Sequence, residues 1–98
     1  MKIFVNSFYS TKIQIFNEFY LLCEKMNVNF NNVKDLMLKN KWFTPHHTHV
    51  PGPDGKLSYG GACFPKDTSA LLEHMKVLNT PHMVLDSVVK ERNTMRDD

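Results

Sequence analysis

Apolar side chains in the first quarter of the chain recur at steps of four and three. Phe4, Phe8, Ile15, Phe19, Leu22 and Met26 carry the pattern, with Thr11 filling one step. That spacing marks one face of a helix with 3.6 residues per turn. Residues 1 to 41 contain neither Gly nor Pro, so nothing interrupts it. Val5, Tyr9, Phe16, Tyr20 and Cys23 form a second set beside the first, and the apolar arc is wider than a surface helix needs. The pattern predicts one long helix packed on two sides. About 25 residues rising 1.5 Å each would make a rod of roughly 37 Å. A rod so long and apolar invites a partner chain, and a homodimer through this helix is the expectation.

Asn29, Asn31 and Asn32 then form a polar break that supplies an N-cap. Val33, Leu36 and Met37 follow as a short second helix ending near Asn40. From Lys41 to Pro65 the chain holds four of its five prolines and all four glycines, with Pro53-Asp54-Gly55 as a turn signal. A loop of about 25 residues in a small domain is usually functional or disordered. Its aromatics, Trp42, Phe43, Tyr59 and Phe64, argue against disorder and put the candidate site here. Asp67 or Thr68 is the expected cap of a third helix through Leu71, Leu72, Met75 and Leu78, closed by Asn79 and Pro81. Val84, Leu85, Val88 and Val89 predict a fourth helix that fades from Arg92 into a polar tail. No segment alternates as a strand does, and no internal repeat appears. The expected fold is all-α: a long N-terminal helix, three shorter helices and a Gly/Pro-rich loop.

At 98 residues the chain supports one domain, taken as 1–98. No run of about 18 apolar residues exists, and the N-terminus turns polar too soon for a signal peptide, so the cytoplasm is the expected location and no membrane is involved. A net charge of +2 without a basic cluster does not favour nucleic acid as a partner. Ten Lys against two Arg, with nine Asn, fits an A/T-rich coding genome such as many phages have. Cys23 and Cys63 lie far apart in a chain without a secretory signal, which favours free thiols. All four glycines fall between Gly52 and Gly61. No strand-linked G-x-G-x-x-G or G-x-x-x-x-G-K-[ST] loop can therefore be written.

Gly60-Gly61-Ala62-Cys63-Phe64-Pro65-Lys66-Asp67 joins flexible backbone, a thiol, a cation and a carboxylate just before a helix start. A thiol near a helix N-terminus and beside Lys is biased toward the nucleophilic thiolate. Paired glycines let a backbone approach a ligand, and a carboxylate can hold or activate water. A buried Cys acting as a small hydrophobe is the plain alternative.

The wording of this segment is more specific than its chemistry. Val50-Pro51-Gly52-Pro53-Asp54-Gly55-Lys56 followed by Tyr59-Gly60-Gly61-Ala62-Cys63-Phe64-Pro65-Lys66-Asp67 closely resembles the active-site segment of the UDP-glucose/GDP-mannose dehydrogenases. Lys2, Asn6-Ser7-Phe8, Thr11-Lys12-Ile13, Asn17-Glu18 and Leu22-Cys23-Glu24 resemble that family's central helix in order and spacing. The resemblance covers nearly the whole chain but only the family's central, helical dimerisation domain. It implies an oxidation of a nucleotide-sugar, commonly UDP-glucose, in which NAD takes two hydrides from C6 and a cysteine-linked thioester is hydrolysed to the uronic acid. It implies Cys63 as nucleophile, Lys2 and Asp67 as the groups that handle protons, water and the oxyanion, and Asn6 beside them. Lys66 would stand near substrate and cofactor, and Tyr59, Gly60 and Gly61 would carry backbone donors toward the substrate. NAD binding would belong to Rossmann-type domains, whether from a longer parent or a separate partner chain, so the isolated chain is not expected to turn over. Lys2 directly after Met1 is compatible with a trimmed fragment and with a short gene.

Three departures stand against that pattern. Asn40-Lys41-Trp42-Phe43 replaces an acidic-x-Arg-Ile element whose arginine reaches the neighbouring subunit's site, Ser58 replaces a Gly before the aromatic, and neither nucleotide-binding domain is expected within these 98 residues. The other chemistry-bearing residues have plainer readings. His46, His47 and His49 with Cys63 lack paired metal-ligand spacing, so no metal is expected. His74 and His82 read as helix-surface residues, Cys23 as inert core, and Trp42 with Phe43 as core anchors. Lys12 either snorkels or pairs across a dimer interface. A second class of function also fits: a stand-alone module that keeps the dimer surface and regulates a complete dehydrogenase.

Overall fold

The uninterrupted N-terminal stretch folds as one helix of 25 residues, α1 (Lys2–Met26). Asn27 ends it in the left-handed region (φ 55°), a conformation Asn tolerates, and its N–H bonds back to the last turn. After Asn29, whose side chain accepts from the Asn32 N–H at 3.2 Å, comes α2 (Phe30–Met37). The remaining helices are α3 (Cys63–Val77) and α4 (Met83–Met95). The computed structural model describes residues 1–98 and contains no strand. The fold is all-α, and no helix is long and apolar enough to cross a membrane.

α1 does not turn its apolar stripe inward. Asn6, Ser7, Ser10, Gln14 and Asn17 are buried, whereas Phe4, Phe8, Ile15, Leu22 and Met26 are exposed. Small side chains allow α3 to approach closely, and the polar atoms thereby buried need partners inside the chain. Thr68 Oγ1 donates to Ser10 Oγ at 2.7 Å, and Ser10 Oγ donates to the Asn6 carbonyl at 2.9 Å. Asn17 Nδ2 donates to the Ile13 carbonyl at 2.9 Å, and its Oδ1 accepts from the Ser58 N–H at 2.8 Å. The second apolar set reaches the core through Phe16, Tyr20 and Cys23, and of the first stripe Phe19 joins them. Phe16, Cys23 and Phe30 form its centre, with Phe19, Tyr20, Val33, Met37, Phe43 and Val50 around them. The Phe16 ring meets Phe19 and Phe30 edge-on at 5.7 and 6.5 Å.

Three expectations need correction. Asp67 and Thr68 do not cap α3, which begins at Cys63 after Ala62. Pro65 falls in its first turn, where the missing N–H costs no helical bond. α4 does not fade at Arg92, since Arg92 and Arg96 are buried and the helix continues to Met95. Trp42 is no core anchor, being 93% exposed, while Phe43 packs on the Phe16 cluster. The Trp42 N–H bonds Asn40 Oδ1 at 2.9 Å in the turn after α2, and adjacent turn residues point different ways, so only one ring faces inward. Lys12 Nζ donates to the Thr44 carbonyl at 3.0 Å and ties the loop to α1.

The core is small, so each ring in it weighs heavily. Phe16→Ala should lower the unfolding free energy by about 3–5 kcal/mol. Urea denaturation monitored by circular dichroism would measure the loss.

Candidate active site

Cys63 is exposed at the first position of α3, among N–H groups that have no partner within the helix. One turn on, at i+4, Asp67 occupies the same face. Its carboxylate is mostly buried against α1, where Asn6 Nδ2 donates to Oδ2 at 2.7 Å. Its other oxygen lies 3.7 Å from Lys66 Nζ, a solvent-exposed ammonium. The early start of α3 therefore creates the grouping: had Asp67 been the cap, Cys63 would lie in the loop and not one turn from the carboxylate. Lys2 stands one turn before Asn6 on α1, is exposed, and makes no hydrogen bond or ion pair. Cys63, Asp67, Asn6 and Lys66 are thus brought together, and Lys2 is near them along the helix only.

The loop before Cys63 is ordered by side chains of α1 and α4. Ser58 has φ 59°, a left-handed conformation unfavourable for most residues. Its N–H bonds Asn17 and its hydroxyl bonds Gln14 Oε1, which offsets the strain where a glycine would need no help. Tyr59 is buried, and burial pushes its phenol up from the usual tyrosine value, opposed by the charge of Arg92. Arg92 Nε donates to the Tyr59 carbonyl at 2.9 Å, with the guanidinium 5.5 Å from the ring centre. Arg96 Nη1 donates to the Leu57 carbonyl at 3.1 Å and Nη2 to Asp54 Oδ2 at 2.6 Å. Gly61 has φ 86°, so glycine is needed there for its backbone angle.

Asp54, Ser58, Tyr59, Gly60 and Gly61 of this loop line a cavity of about 380 Å³ together with His47, His49 and Phe64. His47 stacks on Tyr9 at 4.2 Å and lies 5.6 Å from the Phe64 ring. Burial, then the charges of Lys12 and His46, pull its imidazole below the usual histidine value. His49 Nδ1 accepts from the buried Lys34 Nζ at 3.1 Å. The histidines thus serve stacking and hydrogen bonding, and no three His, Cys, Asp or Glu side chains converge on a metal position.

Sequence reasoning missed Arg92 and Arg96. Composition held a signal: these are the only two arginines beside ten lysines, and they stand four apart on α4. A rigid planar fork with five donors can bridge several oxygens at once, as lysine cannot.

With the geometry in hand, comparison with known proteins identifies the class. The chain belongs to the UDP-glucose/GDP-mannose dehydrogenase family, whose central domain matches residues 1–94. Among its relatives is the UDP-glucose 6-dehydrogenase YwqF of Bacillus subtilis, 32% identical over 91 residues, covering 93% of this chain and 20% of that protein. Another is the UDP-glucose 6-dehydrogenase of Rickettsia bellii, 35% identical over 97 residues, covering 95% of this chain and 21% of that protein. The chain spans about a fifth of the length of these relatives. No solved structure gives a significant match.

The two thiols should separate cleanly, Cys63 being exposed and Cys23 buried. Ellman's reagent should titrate one thiol in the native chain and the second only in denaturant, and Cys63→Ser should abolish the native reaction. Acid gives a second expectation. Hydrogen bonds from Arg96 hold Asp54 and Asp98 below the usual carboxylate range. Folded values that are lowered mean stabilisation that is complete above the ordinary carboxylate value and lost as pH falls below it. The melting temperature should fall along that acid limb, and Asp54→Asn should flatten part of the slope.

Proposed function

We propose that this chain is the central domain of a UDP-glucose 6-dehydrogenase and supplies the nucleophilic half of its active site. The observation that carries this reading is the exposed Cys63 one turn from an Asp67 carboxylate that Asn6 holds in place, in a chain matching the family over residues 1–94. Cys63 Sγ attacks the sugar's C6 aldehyde: an S–C bond forms, the carbonyl pair moves to oxygen, and a proton reaches that oxygen to give a thiohemiacetal. After oxidation to the thioester, water adds at the same carbon, the C–S bond breaks, and Cys63 leaves as thiolate while the carboxylate is released. Asp67 takes the proton from that water, its other oxygen being held by Asn6. Lys2 and Lys66 provide positive charge for the developing oxyanion. Tyr59, Gly60 and Gly61, lining the cavity, present backbone to the nucleotide-sugar.

NAD would accept the hydrides in this reaction, but the residues here do not fit it. Four helices without a strand form no β-α-β crevice, and the glycines form no dinucleotide fingerprint. Those steps belong to Rossmann-type domains outside these residues, and the chain alone is not expected to oxidise substrate.

Pairing is the second part of the reading. Phe4 and Phe8 of α1 are exposed and line a mostly apolar groove with Met83 and Val84 of α4, and exposed Ile15 lines a neighbouring hollow that shares Met83 and Val84. An apolar surface of that extent marks an interaction site, and the occupant proposed is a second copy, packed helix to helix along α1. The same groove favours the alternative, a stand-alone module that pairs with a complete dehydrogenase subunit.

Replacing the central domain of the Bacillus subtilis relative YwqF with this chain tests the enzymatic reading. The chimera should reduce NAD with UDP-glucose, and Cys63→Ser should cut turnover by at least about a thousandfold. A folded but inactive chimera whose Cys63→Ser variant is indistinguishable from it would favour the pairing module. Light scattering on a sizing column should give twice the 11.4 kDa chain mass, and Phe8→Glu should return a folded monomer. A wild-type monomer would refute the dimer.

A further inference from the structure

Gly60 and Gly61 read as a pair in the sequence, yet the structure gives them different reasons to be glycine. Gly61 needs its positive φ, and a Cβ there would meet nothing within 4 Å. Gly60 has no positive φ, so its backbone could accept any residue. What forbids a side chain is Arg96: an added Cβ would lie 2.6 Å from Cζ and closer still to Nη2. The guanidinium occupies the space that the missing Cβ leaves.

That guanidinium is only 2% exposed and has a hydrogen-bond partner in each direction. Besides Leu57 and Asp54, its Nε and Nη2 reach the two oxygens of Asp98 at 2.9 and 3.0 Å. Arg92, one turn earlier, grips the Tyr59 carbonyl and the Asp98 carbonyl, the latter at 3.0 Å. Loop backbone is thus held at Leu57 and Tyr59, and through the Asp54 side chain, by two arginines from one end of α4. These are the residues that run directly into Gly60 and Gly61.

We propose that Gly60 is glycine to admit the Arg96 guanidinium, and that Arg92 and Arg96 are positioning residues that hold the Tyr59–Gly61 backbone in its cavity-facing shape. The functional half of this statement rests on reading Tyr59–Gly61 as the nucleotide-sugar contact. Lysine at 96 retains the charge but not the planar fork, so it cannot bridge Leu57, Asp54 and Asp98 together.

A double-mutant cycle on the full chain tests the first half. Gly60→Ala should lower the melting temperature by at least about 5 °C in the wild-type background and by much less alongside Arg96→Lys. An equal cost in both backgrounds would overturn the assignment. Arg96→Met, which keeps the stem, replaces Arg96→Lys in the cycle if the lysine variant does not fold. For the second half, amide NMR of Arg96→Lys should show Gly60 and Gly61 shifted and less protected from exchange, with the α1 and α3 amides unmoved. Unchanged Gly60 and Gly61 amides would overturn the positioning role. Titration with UDP-glucose should move the same amides in the wild type and bind the variant about tenfold more weakly. A wild type unmoved by UDP-glucose would refute the nucleotide-sugar reading alone, because the cycle and the apo amide spectra decide the positioning claim without ligand.

Discussion

The polar seam between α1 and α3 is the interaction on which the rest of the molecule depends. Ser10 and Thr68 are fully buried there, with Asn6 and Asp67 paired beside them. A buried polar pair contributes only about 1 kcal/mol net, but leaving one member without its partner costs about 1–3 kcal/mol. The seam therefore specifies register more than it adds stability: a slip of α3 along α1 would strand several groups at once. Correct register also sets the candidate site, because the Asn6–Asp67 bond at its edge holds the carboxylate one turn from Cys63.

The same seam explains why α1 shows its phenylalanines to solvent. A helix cannot bury a small polar face against α3 and the stripe on its other side within so small a domain. Phe16 and Cys23 reach the core formed with α2 and the loop, while Phe4, Phe8 and Ile15 remain outside, next to Met83 and Val84.

Order in the long loop comes from a different source. Its own backbone bonds are few, Gly52 N–H to Lys56 carbonyl and Gly55 N–H to Gly52 carbonyl among them. Gln14 and Asn17 from α1, with Arg92 and Arg96 from α4, supply the missing partners. A loop made this way can keep unusual backbone angles at Ser58 and Gly61 because packed helices over-determine them. The loop backbone beside the cavity is consequently fixed by side chains from two helices.

Helical periodicity, the absence of Gly and Pro before residue 41 and their concentration after it determined the all-α class, the length of α1 and the location of the loop. The wording around Cys63 determined the family resemblance. These features are local, so one sequence suffices to read them. Tertiary structure alone decided which face of α1 is buried, because apolar periodicity does not distinguish a core from an interface and cannot foresee that Ser10 and Thr68 satisfy each other. It also decided the start of α3, where packing on α1 outweighed the capping preference of Asp67. The arginine clamp was invisible for the same reason: Arg92 and Arg96 look like a solvated tail until the loop folds back and offers them the carbonyls of Leu57 and Tyr59.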